Sequence, residues 1–413
     1  MAHVFNDPAG FRTGTATAST IGPQLIDFLY IKKALAEQAK EIVFSNMSST
    51  IDIPKNTGVA IKRYVDVLMI DDKNINDQGI DANGQIGVNS NNPNGNLYGS
   101  SRDIGVISTR LPMLGENGGR VNRVGFSRRT IQGTIQQFGF FWEFTEDALN
   151  FDTQTDLLQK MSHEAVRGCT QLQEAMLQTD ILNAAGTIYV PGTGLANLTA
   201  QGVTPTSLKA AVDDTAIPTY GDFQKLKLAL DDLRVPGSTS MFTGTRYIDT
   251  KTIPSARFAF ISNALIPMLE KIKDYNNNPA WVPVEQYAAG GYTHPKEVGK
   301  IGNFRFVVVP EALYWGGAGA TVNGNATVDY RATNSKYDVY PILIIGDDAF
   351  TTLGFQTTGR DGKVKVYTKM PGMATADRTD PYGKTGFTSM QWWYGFLAQR
   401  PERIAVMYTV AEV

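Results

Sequence analysis

The feature that constrains this chain most is a long apolar stripe within residues 153–186. Leu158, Met161, Ala165, Cys169, Leu172, Met176 and Thr179 recur every three or four residues, the repeat of a helix with one buried face. Thr153 stands where an N-cap belongs, and Asp156, three residues on, completes a capping box. Ala185-Gly186 supplies a stop, glycine being suited to a left-handed cap. A helix of about 32 residues at ~1.5 Å per residue is a rod of roughly 48 Å. That is long for a globular helix and predicts a spine on which other elements hang.

Strand-like segments precede the spine. Residues 51–69 alternate, with Val59, Ile61, Val65 and Val67 on one parity, and strand character returns over residues 121–144. Between them, residues 71–100 hold eight asparagines and five glycines, too few core residues for anything but loop. Two long antiparallel strands joined by a protruding tip account for both flanks. Six arginines cluster on the return: Arg102, Arg110, Arg120, Arg123, Arg128 and Arg129, opposed only by Asp103 and Glu116. They read either as a solvated loop or as a basic arm reaching an acidic patch on a neighbouring subunit.

Residues 1–23 read as an extended arm, followed by a helix near Pro23 that carries Leu25, Phe28, Leu29, Ile31 and Leu35. After the spine, Asp222 is expected to cap a further helix whose buried face is Phe223, Leu226, Leu230 and Leu233, ended by Pro236-Gly237. Residues 241–348 mix strands and helices in an α+β pattern, with buried-strand runs at 303–310 and 340–346. Long strands return to the C-terminus. There Trp392 and Trp393 must point to opposite faces of one strand, which is therefore covered on both sides.

With 413 residues, 42% of them hydrophobic, the chain can bury a substantial core. A formal net charge of −2 gives no reason to expect a dedicated nucleic-acid binder. One cysteine, Cys169, excludes an intrachain disulfide, and His3, His163 and His294 form no ligand motif. The start has no signal-peptide pattern and no apolar run approaches the ~20 residues of a membrane helix, so a protein made in a cytoplasm is expected. The sequons at Asn46, Asn197 and Asn325 are expected to be chance matches.

Three features invite a chemical interpretation. Gly383-Lys384-Thr385 ends like a phosphate-binding loop, but the glycine required five positions before the Gly-Lys pair is Arg378, and a strand pattern follows. Asp380-Pro381-Tyr382-Gly383 carries the residue preferences of a type I turn instead. The carboxylate pairs at 71–72, 213–214, 231–232 and 347–348 lack a nearby histidine or third carboxylate and suit caps and turns. Cys169, on the helical stripe, is expected to be a small buried hydrophobe. Catalytic, cofactor-binding and metal sites are accordingly expected to be absent.

The order of elements (arm, long hairpin, spine helix, α+β lobe, returning strands) resembles the HK97 fold of tailed-phage major capsid proteins. Within it the chain looks most like the Schitoviridae-type, virion-RNA-polymerase podophage family. The stretches that carry this resemblance are FGFFWEFTEDALNFDTQTDLL, WVPVEQYAAGG, EVGKIGNFRFVVVPEAL, YPILIIGDDAF and DPYGKTGF…PERIAVMYT, in that order. The resemblance implies an α+β chain with an N-terminal arm (1–47), an E-loop hairpin (48–130), a P-domain with the spine (131–204), an A-domain (205–350) and P-domain return strands (351–413). It implies a non-enzymatic protein that assembles with itself as hexamers and pentamers into an icosahedral head, in the host cytoplasm. The implied partners are portal protein, a separate scaffolding protein, a decoration protein, and double-stranded DNA held by non-specific contact, with no membrane. The six arginines, with Trp392 and Trp393, are the candidate inter-subunit contacts. A Lys-Asn crosslink, as some members form, has only Lys73 and its neighbouring asparagines to recommend it. The rival interpretations are a decoration or tail protein and a carbohydrate- or nucleotide-binding enzyme.

Overall fold

The computed structural model describes residues 43–45, 49–54, 56–66, 116, 128–151, 157–192, 194–196, 204–233, 235–242, 250–287, 296–309, 311–322, 329–355, 364–373, 375–376 and 378–413. The expected arm, the helix near Pro23, the loop at 71–100 and the capping pair Thr153/Asp156 lie outside them. The chain divides into two compact units. The smaller includes Trp142–Ala165 and Thr368–Thr388; the larger is Lys40–Phe141, Val166–Tyr367 and Ser389–Val413.

The chain runs through β1 (Ser49–Ile53), β2 (Ala60–Asp66) and β3 (Arg128–Thr145) into α1 (Glu146–Phe151) and the long α2 (Leu157–Asn183). Next come β4 (Thr187–Val190), β5 (Gly194–Ala196), α3 (Pro205–Ala210), α4 (Tyr220–Asp232), β6 (Ser238–Phe242) and β7 (Thr250–Ile261). They lead to α5 (Ile266–Glu270), β8 (Val282–Pro283), α6 (Val284–Tyr287), β9 (Glu297–Ile301) and β10 (Phe304–Val308). The last strands are β11 (Ala332–Thr333), β12 (Lys336–Tyr337), β13 (Tyr340–Ile345), β14 (Phe350–Phe355), β15 (Val364–Lys369), β16 (Thr385–Ala398) and β17 (Ile404–Thr409).

Two large sheets organise these strands. One is ordered β1-β14-β16-β3-β2, with β15 also on β16; the other is ordered β5-β4-β17-β13-β7-β10-β9-β8, with β6 on β7. In the second sheet β13 and β17 are buried at every position. Alternate side chains go to opposite faces, so each strand feeds two cores. Leu343, Ile345, Ile404, Val406 and Tyr408 enter one, with Leu177, Ile181 and Leu182 of α2. Ile342, Ile344, Ala405 and Met407 enter the other, with Phe223, Leu226 and Leu230 of α4. Each large side chain so buried stabilises the fold by about 1.5–3 kcal/mol.

The described part of residues 51–69 belongs to two strands rather than one, β1 and β2. The chain breaks at Pro54, and β1 and β2 sit at opposite edges of their sheet. The spine stripe also departs from expectation: Cys169 is fully buried, yet Leu172 and Thr179 are exposed. The buried line moves to Leu177 and Ile181, about 80–120° round the helix from Cys169 at ~100° per residue. A single apolar seam cannot serve a helix whose neighbours change along its length.

Gly186 ends the spine for a different reason from the one expected. It is absent from the left-handed residues. Its N–H donates to the carbonyls of Pro401 and Ile404, and a Cβ there would sit 2.5 Å from the Pro401 oxygen. Close backbone approach, and not φ, demands the glycine. The cap of α4 is Thr219 rather than Asp222: Asp222 is the third helical residue of a capping box, its Oδ2 accepting from Thr219 N at 3.0 Å. The other Asp222 oxygen accepts from the Tyr189 hydroxyl at 2.5 Å.

Candidate assembly interface

The root of the hairpin is set by antiparallel register, Tyr64 opposite Thr130 and Asp66 opposite Arg128. This places Arg128 Nε 2.9 Å from Asp66 Oδ1 and its guanidinium 5.9 Å from the centre of the Tyr64 ring. All three side chains are exposed. Such a pair contributes about 0–1 kcal/mol, so it orients the surface more than it stabilises the fold. Arg129 pairs through its backbone with Val65, while its side chain and all of Arg102, Arg110, Arg120 and Arg123 lie outside the described residues.

Trp392 and Trp393 fall on opposite faces of β16. Trp392, 2% exposed, packs against Phe138 and Phe140 of β3 at 6.2 and 5.9 Å between ring centres. Its indole Nε1 has no hydrogen-bond partner among the described residues. Trp393 is half-buried and lies 5.3 Å from Phe355, beside Ile53, Ile135, Leu353 and Leu397. Trp392 is thus enclosed by its own chain, and Trp393 lines a second apolar layer. Glycine lets the strands close: a Cβ on Gly395 would meet the Thr134 carbonyl at 2.5 Å.

The Gly383-Lys384-Thr385 segment is a turn exit. Gly383 N–H donates to Asp380 O at 3.1 Å, and Gly383 has φ +60°. Asp380 Oδ2 accepts from Thr385 Oγ1 and N at 2.7 and 2.8 Å, which holds its carboxyl below the usual range. An acidic side chain therefore occupies the amide that a phosphate would need. The same loop carries a surface that sequence reasoning missed. Met373 and Tyr382 are 97% and 86% exposed, while Gly372 N–H donates to Gly383 O at 2.7 Å across the loop's base. The Pro371-Gly372 and Asp380-Pro381 pairs bracket it and were the available signal of a projecting turn.

The pair at 71–72 lies outside the described residues, and each of the other three acidic pairs has a member bound within the fold. Asp213 accepts from Thr215 N and Oγ1, Asp231 from Arg257, and Asp347 from Ser238. Burial pushes the Cys169 thiol up to about 11, so it holds little thiolate at neutral pH. Among the described residues no group of acidic, His or Cys side chains could hold a metal, and no helix is long and apolar enough to cross a membrane.

Residues 127–407 match the family model described as phage capsid protein. The major capsid protein of Pseudomonas phage KPP21 is 44% identical over 409 residues, spanning 99% of this chain and 97% of that one. The solved capsid of Ralstonia phage GP4 superposes with a TM-score of 0.54 at 12% identity, covering 97% of this chain and 99% of that chain. At that identity the likeness speaks to fold alone, and the fold is HK97-like. The family consists of structural capsid proteins and not of enzymes. The chain belongs to the phage capsid protein family, as a major capsid protein of a phage head.

Proposed function

We propose that the chain assembles as hexamers and pentamers into an icosahedral head around double-stranded DNA, within the host cytoplasm. The observation that carries this is the hairpin root. There β2 ends its sheet with no further strand beyond it among the described residues, and presents Tyr64 to solvent, with Arg128 of the paired β3 exposed beside it. An exposed strand edge with a cation and an aromatic is built for contact with another chain. Trp393 and the second apolar layer belong to the same sheet, and the remaining arginines of the sequence cluster are further candidates for the contact. A net charge of −2 suits a wall whose DNA is neutralised chiefly by counterions, touching it without specific sites. A portal protein, a separate scaffolding protein and a decoration protein complete the assembly. The collinear stretches that match the Schitoviridae-type group support placement there.

The test is electron microscopy of the chain co-expressed with a scaffolding protein. Closed shells built of six- and five-membered rings are expected. Soluble subunits alone, in the presence of a scaffold that is itself assembled, would overturn the proposal.

A further inference from the structure

Val43, Phe44 and Ser45 meet the spine midway along its length. Val43 and Phe44 are buried in one core with Leu177 and Ile181 of α2 and Phe260 of β7. The Phe44 ring lies 5.1 Å from that of Phe260, centre to centre, and is 2% exposed. Glu174 precedes Leu177 by three residues and Ile181 by seven, so it shares their face of α2. It is only partly buried, and stands at the rim of the core that Phe44 enters.

The Glu174 carboxylate takes two consecutive backbone donors. Phe44 N–H donates to Oε2 and Ser45 N–H to Oε1, both at 3.0 Å. Successive N–H groups of an extended chain point to opposite sides, so one side chain can take both only where the backbone turns. The chain bends at Phe44. Use of both oxygens also decides the residue type. A carboxylate only accepts, whereas a carboxamide has one acceptor and would set its NH2 group against the second N–H.

Packing alone would hold the Phe44 ring. What the two charge-assisted bonds add is heading, because they fix the backbone's direction at the point where residues 1–42 join it. Six residues along α2, Asp180 takes the Tyr394 hydroxyl of β16 at 2.7 Å. A stretch of ~9 Å of helix therefore carries both fastenings, and the root of the N-terminal segment is set in register with β16.

We propose that Glu174 is a positioning residue for assembly, fixing the place and heading at which residues 1–42 leave the spine. Each copy then presents that segment from the same start. The inference rests on the shell-building function proposed above, since a symmetric lattice joins copies only where each offers its surfaces alike.

The test is Glu174→Gln in the full chain, followed by hydrogen exchange, thermal melting and assembly with a scaffolding protein. Exchange at the Phe44 and Ser45 amides should rise about tenfold, with the amides of β13 and β17 unchanged. Subunit melting should stay as it was, and the concentration needed for half-assembly should rise about tenfold. Glu174→Asp keeps the charge but withdraws both oxygens by one carbon, and should act in the same direction. Unchanged exchange at Phe44 and Ser45 in Glu174→Gln would overturn the grip. So would a Glu174→Asp chain that behaves as the unaltered one, since charge alone would then suffice. Raised exchange with normal assembly, or assembly lost only in step with melting, would overturn the positioning role. Failure of the unaltered chain to form shells would instead overturn the function on which that role rests.

Discussion

Tyr394 of β16 donates its hydroxyl proton to Asp180 Oδ2 of α2 at 2.7 Å, fastening the strand to the spine. Both residues are partly buried, and burial together with the Asp180 carboxylate pushes the tyrosine well above its ordinary pKa. Tyr394→Phe should cost about 1–2 kcal/mol, because a half-buried carboxylate loses its partner. Asp180→Asn keeps an acceptor oxygen and should cost less. Urea unfolding of isolated subunits checks the order. A larger loss in Asp180→Asn would show that the charge, and not the bond, matters.

Gly186 closes the spine where Pro401 crosses it. Gly186→Ala places a methyl 2.5 Å from the Pro401 oxygen, and both flanking N–H···O bonds must stretch to admit it. A loss of about 1–3 kcal/mol is expected, as for other overpacked sites. Gly168→Ala is the control: nothing lies within 4 Å of its added methyl, and alanine suits a helix better than glycine. It should be neutral or stabilising by about 1 kcal/mol. Equal losses at the two sites in thermal melting would refute the close-approach account.

Strands buried on both faces were legible because burial on both sides leaves a continuous apolar run, as in Tyr340–Ile345. The opposite facing of Trp392 and Trp393 followed from the period of a strand. The turn at Asp380 was legible because its backbone chemistry is local. What depended on partners distant in sequence was not. The spine's stripe misled because Leu177 and Ile181 answer to a core assembled from β13 and β17. Gly186 reads as a cap in the sequence because nothing near it along the chain foretells Pro401. Exposed Met373 and Tyr382 resemble core residues to any scale that reads hydropathy alone.

Arg257 is 4% exposed, and its Nη2 donates to Asp231 Oδ1 at 2.6 Å and to Val235 O at 2.9 Å. Its Nε and Nη1 have no partner among the described residues. Asp231→Ala would leave a buried cation with one carbonyl. Asp231 is itself half-exposed, so the cost should fall near about 2 kcal/mol, below that of a fully buried pair. Adding Arg257→Met should recover most of that loss, because an apolar chain of similar length fills the site without a charge. Denaturant melts of the single and double variants decide it. A double variant worse than Asp231→Ala would mean that Arg257 stabilises the fold without its carboxylate.

Alkaline pH should unfold the subunit through its buried tyrosines. Burial pushes Tyr408 up to about 12, and burial plus the Asp222 carboxylate raises Tyr189 further. In the unfolded chain each titrates near ~10. Below that pH both states are protonated and the contribution is fully present. Between pH 10 and 12 only the unfolded state loses the proton, so stability falls as pH rises, by ~1.4 kcal/mol per pH unit for each tyrosine. The unfolding free energy should therefore drop from pH 10 upward. Tyr408→Phe should change little at pH 7 and reduce the alkaline slope by about one proton. An unaltered slope would rule Tyr408 out as a contributor.

Arg128 tests whether the hairpin root serves assembly or the fold. Arg128→Glu sets a second carboxylate beside Asp66 and removes the cation from the Tyr64 ring. All three groups are exposed and screened, so subunit stability should change by less than about 1 kcal/mol. Assembly should be lost, because the reversal alters the charge that the proposed contact presents to its neighbour. Arg123→Glu combined with it should deepen that loss without further effect on melting. Asp66→Lys in the Arg128→Glu background restores an opposite pair at the root but with reversed polarity. If that double variant regains assembly, Arg128 acts by holding the hairpin's register. If assembly stays lost while melting is normal, the arginine acts on the neighbouring chain. Parallel loss of melting temperature and assembly in Arg128→Glu alone would assign it to the fold instead.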